Sequence, residues 1–389
     1  MKRLYFVIFI ASNLMAVSPA MVEQPSVVPL DVVASSPPVP IEGEDGVHLL
    51  YEMRFSNFSP RGVELESIDV IEAGNVLHHY DAPSLVTMIG TPGQEKEGSA
   101  KLKIAPGSFA FVYFDTILAR EAAIPSRLIH RVHIKASKPD VPASRTILDT
   151  PPLRVSRNTP IMLGPPLRGS GWVAANALSN TNDHRRTVVV VNGQARIAQR
   201  YAIDFVKLDA KGHAFRGDPS QNASWAGYGT DVLAVADGRV EALHVGVPDN
   251  SPGAAPSVPI TLDTIGGNNV VLALPGGAYV FYAHLLPGSI VVQKGQQVHK
   301  GQVIAKVGNS GQSDAPHLHI HVADGASALG AEGVAYAFEN FDVEGHVPSL
   351  EILESTAGWD EHPASLENGR REELPIENAV ISFDGKSVN

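Results

Sequence analysis

The segment His317-Leu318-His319-Ile320-His321 carries the histidines whose spacing suits chemistry on one side of a strand. Successive side chains of a strand point to opposite faces, so the three imidazoles share one face while Leu318 and Ile320 face a core. By strand geometry, neighbouring imidazoles lie roughly 6–7 Å apart. Rings at this spacing can bind a metal ion or transfer protons, whereas a lone histidine is usually structural. The pattern predicts a metal-binding or proton-transfer surface.

Two further segments place polar groups at apolar strands. His284 ends the apolar run Phe281-Tyr282-Ala283, where on its own it would be interpreted as a strand-end cap. Asp204 lies within the apolar segment Tyr201–Phe205. A carboxylate buried there is unfavourable unless a metal or a cation compensates its charge. The chain has no cysteine, so disulfides and thiolate nucleophiles are excluded and any metal must be held by His, Asp or Glu.

Composition and the N-terminal residues narrow the class of protein. A net charge of −11 argues against nucleic-acid binding, because phosphate contacts need clustered Lys and Arg. Lys2 and Arg3, followed by an apolar run from Leu4 to Val17 and small residues up to Ala20, are typical of a secretory signal peptide cleaved after Ala20. No later segment contains the roughly 20 consecutive apolar residues that are needed to span a bilayer. We therefore expect an exported protein, periplasmic or extracellular, with no stable membrane span after signal removal.

The elements that must position the polar residues are predicted to be strands. Short alternating segments between turns such as Pro106-Gly107 predict a β-sandwich-like module, in which Tyr51, Met53 and Phe55 share a face. Strands punctuated by glycine predict a second β domain, and long helical periodicity is absent, so the predicted fold class is all-β. The predicted divisions are a signal peptide at 1–20, an extended lead-in at 21–45, the sandwich-like module at 46–136, a Pro-rich linker at 137–168, the second β domain at 169–347 and a polar tail at 348–389.

Several short motifs follow one another between Tyr201 and Val322. They are Ala202-Ile203-Asp204, Tyr228-Gly229, Asp237-Gly238, Asn269-Val270-Val271, Tyr282-Ala283-His284-Leu285, Lys300-Gly301-Gln302-Val303-Ile304, Val307-Gly308-Asn309-Ser310-Gly311 and Pro316-His317-Leu318-His319. In this order they resemble the lysostaphin/LytM-type zinc endopeptidases that cut peptidoglycan peptides. The resemblance implies a LytM-type antiparallel β-sheet with a groove and one zinc ion at its floor.

The resemblance also assigns roles to individual residues. It implies that Asp204 and His319 are zinc ligands and that His284 and His317 are the two catalytic histidines. Zinc held by three protein ligands keeps one position for water and lowers the pKa of that water. Uncoordinated histidines beside it can take up a proton and stabilise an oxyanion. No His-Glu-x-x-His motif occurs, which agrees with a histidine-based mechanism.

One position departs from the family's pattern. Four residues before the aspartate, where the family has a ligand histidine, this chain has Arg200, which has no lone pair for a metal. His184 is the predicted replacement, because a hairpin turn at Asn192-Gly193 would bring it opposite Tyr201 and beside Arg200. Ideal pairing puts His184 on the face opposite that of Asp204, so a bulge or a departure from the ladder is required. The alternative is a surface histidine.

Two residues keep alternative roles. His321 could support a ligand through a hydrogen bond or reach the metal itself. Arg200 could bind a carboxylate or carbonyl oxygen of a substrate, or form a salt bridge with a nearby acid.

Two functional hypotheses follow. The first is a zinc metalloendopeptidase that hydrolyses peptide bonds of cell-wall peptidoglycan, or of another peptide substrate, through metal-activated water. The second is a catalytically inactive LytM-like protein that binds or activates another cell-wall hydrolase. Arg200 favours the second hypothesis, and the retention of Asp204, His284, His317 and His319 favours the first.

Overall fold

The computed structural model describes residues 28–94, 96–359 and 369–384, and the signal peptide predicted at 1–20 lies outside these residues. Strands dominate and the helices are short, so the all-β prediction is confirmed. Among the described residues, no helix has the length and apolarity needed to cross a membrane.

The first part of the chain forms two antiparallel sheets. One has the order β1-β3-β8-β6 with β2 beside β3, and the other has the order β10-β9-β4-β5 with β7 on β4 and β11 on β9. Buried apolar side chains from both sheets share one core, which makes this part a β-sandwich. The short helix α1 (Ala82–Met88) follows β5. The strands are β1 (Leu30–Ala34), β2 (Pro40–Gly43), β3 (Gly46–Asn57), β4 (Gly62–Glu72), β5 (Asn75–Asp81), β6 (Ile89–Gly90), β7 (Lys103–Ile104), β8 (Phe109–Leu118), β9 (Arg127–Lys138), β10 (Val141–Asp149) and β11 (Leu153–Arg154).

The sandwich extends beyond the predicted 46–136 module at both ends. β1 and β2 lie in the predicted lead-in and pair with β3, while β10 and β11 lie in the predicted linker at 137–168 and pair with β9. Proline is tolerated in β10 because Pro142 lies where the register with β9 shifts, on an edge strand. The structure therefore replaces two predicted irregular segments with edge strands.

The second part of the chain is built around a ten-stranded antiparallel sheet of order β21-β18-β19-β20-β23-β16-β13-β27-β25-β26. This part also contains three separate two-stranded sheets. They are the hairpin of β14 and β15, the pair of β17 and β22, and the parallel pair of β12 and β24. The helical turn α2 (Asp183–Arg186) precedes the hairpin. The strands are β12 (Ile161–Leu163), β13 (Trp172–Ala175), β14 (Val189–Val191), β15 (Gln194–Arg196), β16 (Ile203–Lys207), β17 (Asp231–Leu233), β18 (Gly238–His244), β19 (Asn268–Ala273), β20 (Tyr279–Leu285), β21 (Gln297–Val298), β22 (Val303–Lys306), β23 (Leu318–Ala323), β24 (Tyr336–Phe338), β25 (Phe341–His346), β26 (Gly369–Arg370) and β27 (Ala379–Ser382).

The predicted polar tail at 348–389 contributes two strands, β26 and β27, to this sheet. β27 lies between β13 and β25 and pairs with both. All four of its residues are buried, so a short apolar run inside a polar segment is enough to form an inner strand. β27 thus supports β13, which in turn pairs with the Asp204 strand β16.

Candidate metal centre

Adjacent strands bring the predicted site residues together. β16 and β23 pair with Asp204 opposite His319, and on the other side of β23 Ala283 lies opposite His319. Residues that face each other across neighbouring strands project from the same face of the sheet. Leu318 and Ile320 are fully buried in the main core on the other face, as the alternation predicts.

His284 reaches the same site through a bulge. β19 and β20 pair at Asn268 with Leu285 and at Val270 with Tyr282, so one residue of β19 lies opposite two residues of β20. His284 has a φ of 59°, which is uncommon for a residue other than glycine. Such a backbone redirects a side chain and is typical of functional sites. The centroid of the His284 ring lies 4.7 Å from that of His317.

His184 approaches from outside the sheet. The hairpin turn at Asn192-Gly193 has positive φ values of 52° and 77°, as a type I′ turn requires. The ladder ends at the pair Val189 and Arg196, and His184 lies in the helical turn α2 rather than on a strand. Because His184 lies outside the strand ladder, strand pairing does not force its side chain to the face opposite that of Asp204. The Nε2 atom of His184 lies 2.7 Å from Asp204 Oδ2.

Asp204 is the centre of the cluster. Its Oδ1 atom lies 2.8 Å from His319 Nδ1 and 3.5 Å from His317 Nε2. One ligand atom from each of His184, Asp204 and His319 lies within 4.8 Å of the other two. Two imidazole nitrogens and a carboxylate oxygen suit zinc and leave a fourth tetrahedral position open. These residues therefore fit a zinc ion.

Hydrogen bonds fix the orientation of the remaining rings. His284 Nδ1 donates to the Ser310 carbonyl at 2.8 Å, and His317 Nδ1 donates to the Ala315 carbonyl at 2.8 Å. In the neutral rings this leaves Nε2 without a proton. His319 Nε2 lies 2.9 Å from His321 Nδ1, so a proton on that Nε2 leaves the Nδ1 lone pair of His319 directed at Asp204 and a metal.

The charges of the cluster are coupled through Asp204. Burial disfavours its charge, but the positive charges of His184 and His317 hold the pKa of Asp204 well below its usual range. Burial favours neutral rings for these two histidines as well, and the Asp204 charge outweighs it, so the pKa values of His184 and His317 are raised. Burial and repulsion from neighbouring histidines lower the pKa of His284. The site thus combines an ionised carboxylate with a neutral ring.

Residues 224–330 match the family described as Peptidase family M23. This chain contains a domain of peptidase family M23. The predicted resemblance to lysostaphin/LytM-type peptidases is therefore confirmed. The matched residues, here called the M23 domain, include His284, His317 and His319 and begin after His184 and Asp204.

Solved structures of M23 peptidases are similar to this chain at low identity. The catalytic domain of lysostaphin from Staphylococcus simulans is 21% identical, with 43% of this chain and 88% of that chain covered and a TM-score of 0.23. A variant catalytic domain of the prophage-encoded M23 protein EnpA from Enterococcus faecalis is 19% identical, with 41% and 86% covered and a TM-score of 0.25. A putative peptidase M23 from Pseudomonas aeruginosa is 14% identical, with 76% and 93% covered and a TM-score of 0.26. No curated protein matches the chain. These TM-scores are low, so the family assignment rests on the matched residues.

Arg200 lies just outside the M23 domain and is turned away from the cluster. Its side chain is 1% exposed and forms salt bridges with Glu52 and Glu332. The guanidinium also donates to the Gly333 carbonyl at 3.2 Å. The structure thus places Arg200 in the salt bridge that the sequence left as an alternative, and its burial is incompatible with substrate contact.

Two residues on the β13 side were not predicted from the sequence: Asn176, which contacts the cluster, and Glu377, which contacts Asn176. Asn176, with a φ of 53°, donates from Nδ2 to Asp204 Oδ2 at 2.9 Å. Its backbone N–H donates to Glu377 Oε1 at 3.2 Å, and burial raises the pKa of Glu377 to about 7. Neither residue belongs to a motif, and Glu377 lies in the predicted tail. Only recognition of β27 could have brought it to the site.

A cavity of about 170 Å³ opens beside the cluster. His184, His284, His319 and His321 contribute to its wall, together with apolar residues that include Ile265 and Leu329. A molecule bound in this cavity would contact the candidate ligands His184 and His319 together with His284.

Proposed function

We propose that the protein is a zinc-dependent endopeptidase that hydrolyses peptide bonds of cell-wall peptidoglycan. The observation that carries the proposal is the gathering of ligand atoms from His184, Asp204 and His319 within 4.8 Å. The M23 domain supports a peptidase, and the resemblance to lysostaphin/LytM-type enzymes supports the substrate class. Peptidoglycan lies outside the cytoplasm, so the proposal includes export to the periplasm or the cell exterior.

In this proposal three side chains hold the zinc ion. His184 Nε2, a carboxylate oxygen of Asp204 and His319 Nδ1 are the ligand atoms, and Asn176 orients Asp204 by donating to Oδ2. When bound, zinc acts as a Lewis acid that activates water and polarises the scissile carbonyl. The His321 ring, stacked on Phe281 at a centroid distance of 4.5 Å, keeps His319 in the tautomer that a ligand needs.

His284 and His317 handle protons in this proposal. Burial keeps the His284 ring neutral, so its free Nε2 can accept a proton from the attacking water. In the metal-free protein burial lowers the pKa of His317 and the Asp204 charge raises it more strongly, which favours a protonated ring whose Nε2 can donate a hydrogen bond to the oxyanion. The leaving amine takes up the proton that His284 accepted from the water as the peptide bond breaks. Both rings are held by backbone carbonyls, which limits the reorganisation needed during the reaction.

The first test is the metal content of purified protein. We expect about one zinc per chain in the wild type and its loss in His184→Ala and in His319→Ala, since three ligands are needed for a catalytic site. His299→Ala is the matched control, because the His299 side chain is 84% exposed. Full zinc occupancy in His184→Ala would remove the assignment of that ligand alone.

The second part of the test separates the enzyme from an inactive relative. Wild-type protein should release soluble peptides from purified peptidoglycan, and a chelator should stop the release. A wild-type protein that neither holds nor takes up zinc would contradict the proposal and favour an inactive protein that binds or activates another hydrolase.

A further inference from the structure

A buried carboxylate of the sandwich, Glu52, binds two arginines near the metal site, Arg185 and Arg200. Glu52 of β3 is fully buried, and its Oε1 atom accepts from Arg185 Nε at 3.0 Å. Its Oε2 atom accepts from Arg200 Nε at 2.9 Å. Arg185 is next to the candidate ligand His184, and Arg200 occupies the place of the ligand that the family pattern contains. The Glu52 carboxylate therefore binds Arg185, the neighbour of His184, and also Arg200, which stands where the family pattern has a ligand histidine.

Glu52 does not belong to the core of the sandwich. Tyr51 and Met53 point into that core, so Glu52 projects from the opposite face of β3. That face would be exposed to solvent if the sandwich stood alone, but α2 covers it. Arg185 Nη2 donates to the backbone carbonyls of Tyr51 and Phe114, at 3.0 and 2.6 Å.

The turn that carries His184 depends on these contacts. α2 has four residues, and isolated helices shorter than about 12–15 residues are marginal in water. Asn182 caps it by accepting from the Arg185 N–H at 2.7 Å. Asn180 Oδ1 accepts from Arg185 Nη1 at 2.9 Å, and the sandwich supplies further anchors, since Arg185 bonds Glu52 and the Arg186 guanidinium lies 5.2 Å from the centre of the Tyr113 ring.

The Glu52 carboxylate compensates the buried positive charges of Arg185 and Arg200. A buried guanidinium is tolerated only when acids compensate its charge. Arg185 is fully buried, and its ion-pair partner is Glu52. Arg200 pairs with both Glu52 and Glu332. Among the described residues Glu52 is the acid that pairs with Arg185, so loss of its charge would leave a buried guanidinium uncompensated, weaken the hold on α2 and displace His184 with it.

We propose that Glu52 is a positioning residue of the metal site and that the sandwich completes this site from outside the M23 domain. Glu52 holds Arg185, and Arg185 holds the turn that presents His184 to Asp204. The inference rests on the proposed function, because it concerns the same zinc ion. It assigns the sandwich a role in metal binding.

The test measures the zinc affinity of the whole protein by competition with a chromogenic chelator at fixed pH. Glu52→Gln keeps the size of the side chain and removes its charge. We expect zinc to bind this variant about 10- to 100-fold more weakly, the usual effect of changing a group that orients a ligand. Glu66→Gln is the control, because Glu66 forms a surface ion pair with Arg145 in the same module. It should bind zinc as the wild type does.

A double-mutant cycle shows whether Glu52 acts through His184. In a His184→Ala background, Glu52→Gln should change the residual zinc affinity by less than about 3-fold, since the ligand that it positions is gone. An equal weakening in both backgrounds would overturn the inference, because a merely structural role does not depend on His184.

Glu52→Asp keeps the charge but is one methylene shorter, so it cannot bridge both arginines at the observed distances. This variant should fold, as judged by thermal unfolding of the metal-free protein, and bind zinc more weakly than the wild type. Wild-type zinc affinity in folded Glu52→Gln or Glu52→Asp would overturn the inference and leave the proposed function intact. Loss of folding in both variants would also overturn it, because the network would then be structural. A wild-type protein that binds no zinc would instead end the proposed function.

Discussion

One buried histidine of the sandwich, His130, and the histidines around Asp204 lie in opposite electrostatic settings. His130 of the sandwich is fully buried, with Nε2 at 2.7 Å from the Tyr51 hydroxyl, and burial lowers its pKa to about 3. His184 and His317 gather around Asp204, and its charge raises their pKa values although burial opposes it. A buried histidine without an acid is a neutral part of a core, whereas histidines that share a carboxylate can exchange protons for a metal ion.

Exchanging histidine for a smaller residue should therefore have different effects in the two regions. The largest expected effect is that of His317→Ala, which should lower kcat by about 10²- to 10³-fold, the usual contribution of a hydrogen-bond donor to an oxyanion. Zinc content should stay at the wild-type level, because His317 Nε2 lies 3.5 Å from Asp204 and the ring is not among the three ligands of the candidate site. Peptide release from peptidoglycan and metal analysis of the same sample measure the two quantities.

His130→Asn is the matched control for this prediction. Its side chain is outside the metal centre, and asparagine can keep a hydrogen bond to Tyr51. Peptidase activity should be unchanged at neutral pH. Loss of zinc from His317→Ala would show that this residue is a ligand, and the division of roles between His317 and His184 would be wrong.

The sequence predicted the parts of the site that follow from strand geometry. The alternation around His319 fixed which side chains share a face, and the Asn192-Gly193 turn fixed the hairpin beside His184. The helical turn α2 was not predicted, because four residues are too few for a helical period. Departure from the ladder at β14 is what brings His184 to Asp204.

The remaining contacts depend on tertiary packing. Glu52 reads as a solvent-facing residue of β3, and its partner Arg185 is 133 residues away in the chain. Glu377 lies two residues before β27, a strand that the polar composition of the predicted tail hides. Long-range ion pairs of this kind have no spacing in the sequence, so only the packed structure reveals them.

The second expected effect concerns stability in acid and tests the interpretation of His130. The pKa of about 3 in the folded state lies below the ordinary value of 6.5, so the unfolded chain takes up a proton first as the pH falls. The stability contribution of the neutral ring is complete above about pH 7 and is lost as the pH falls through 6.5 toward 3. Between pH 7.5 and 4.5, the wild type should lose on the order of 2–3 kcal/mol more free energy of unfolding than His130→Asn.

Urea unfolding of the metal-free protein at both pH values measures this difference. Val76→Ala is the control, since Val76 is 55% exposed in the same module and the change removes no titratable group. It should show the pH dependence of the wild type. If His130→Asn loses as much stability as the wild type does, the ring is protonated in the folded state, and the contrast between the two regions fails.

The smallest expected effect has the opposite sign and concerns Glu377 beside the metal centre. Burial raises its pKa to about 7, above the ordinary value of 4.5, although N–H groups of Asn176 and Ala177 partly stabilise the charge. Between pH 4.5 and 7 the folded state therefore keeps a proton on Glu377 that the unfolded chain has already lost. The contribution of Glu377 to the free energy of unfolding falls as the pH rises through this range. Glu377→Gln removes this loss, so at pH 8 the metal-free variant should be more stable than the wild type by on the order of 1–3 kcal/mol, with a smaller difference at pH 5.

Denaturant unfolding of chelator-treated protein at the two pH values tests this prediction, with the exposed Glu354→Gln as the control. Bound zinc should reduce the gain, because a cation at Asp204 offsets the negative charge that helps to raise the pKa of Glu377. A gain that is equal with and without zinc would mean that Glu377 does not sense the charge of the cluster. Its pKa would then be raised by burial alone, just as the pKa of His130 is lowered by burial alone, and proximity to the carboxylate would not distinguish the two regions at this position.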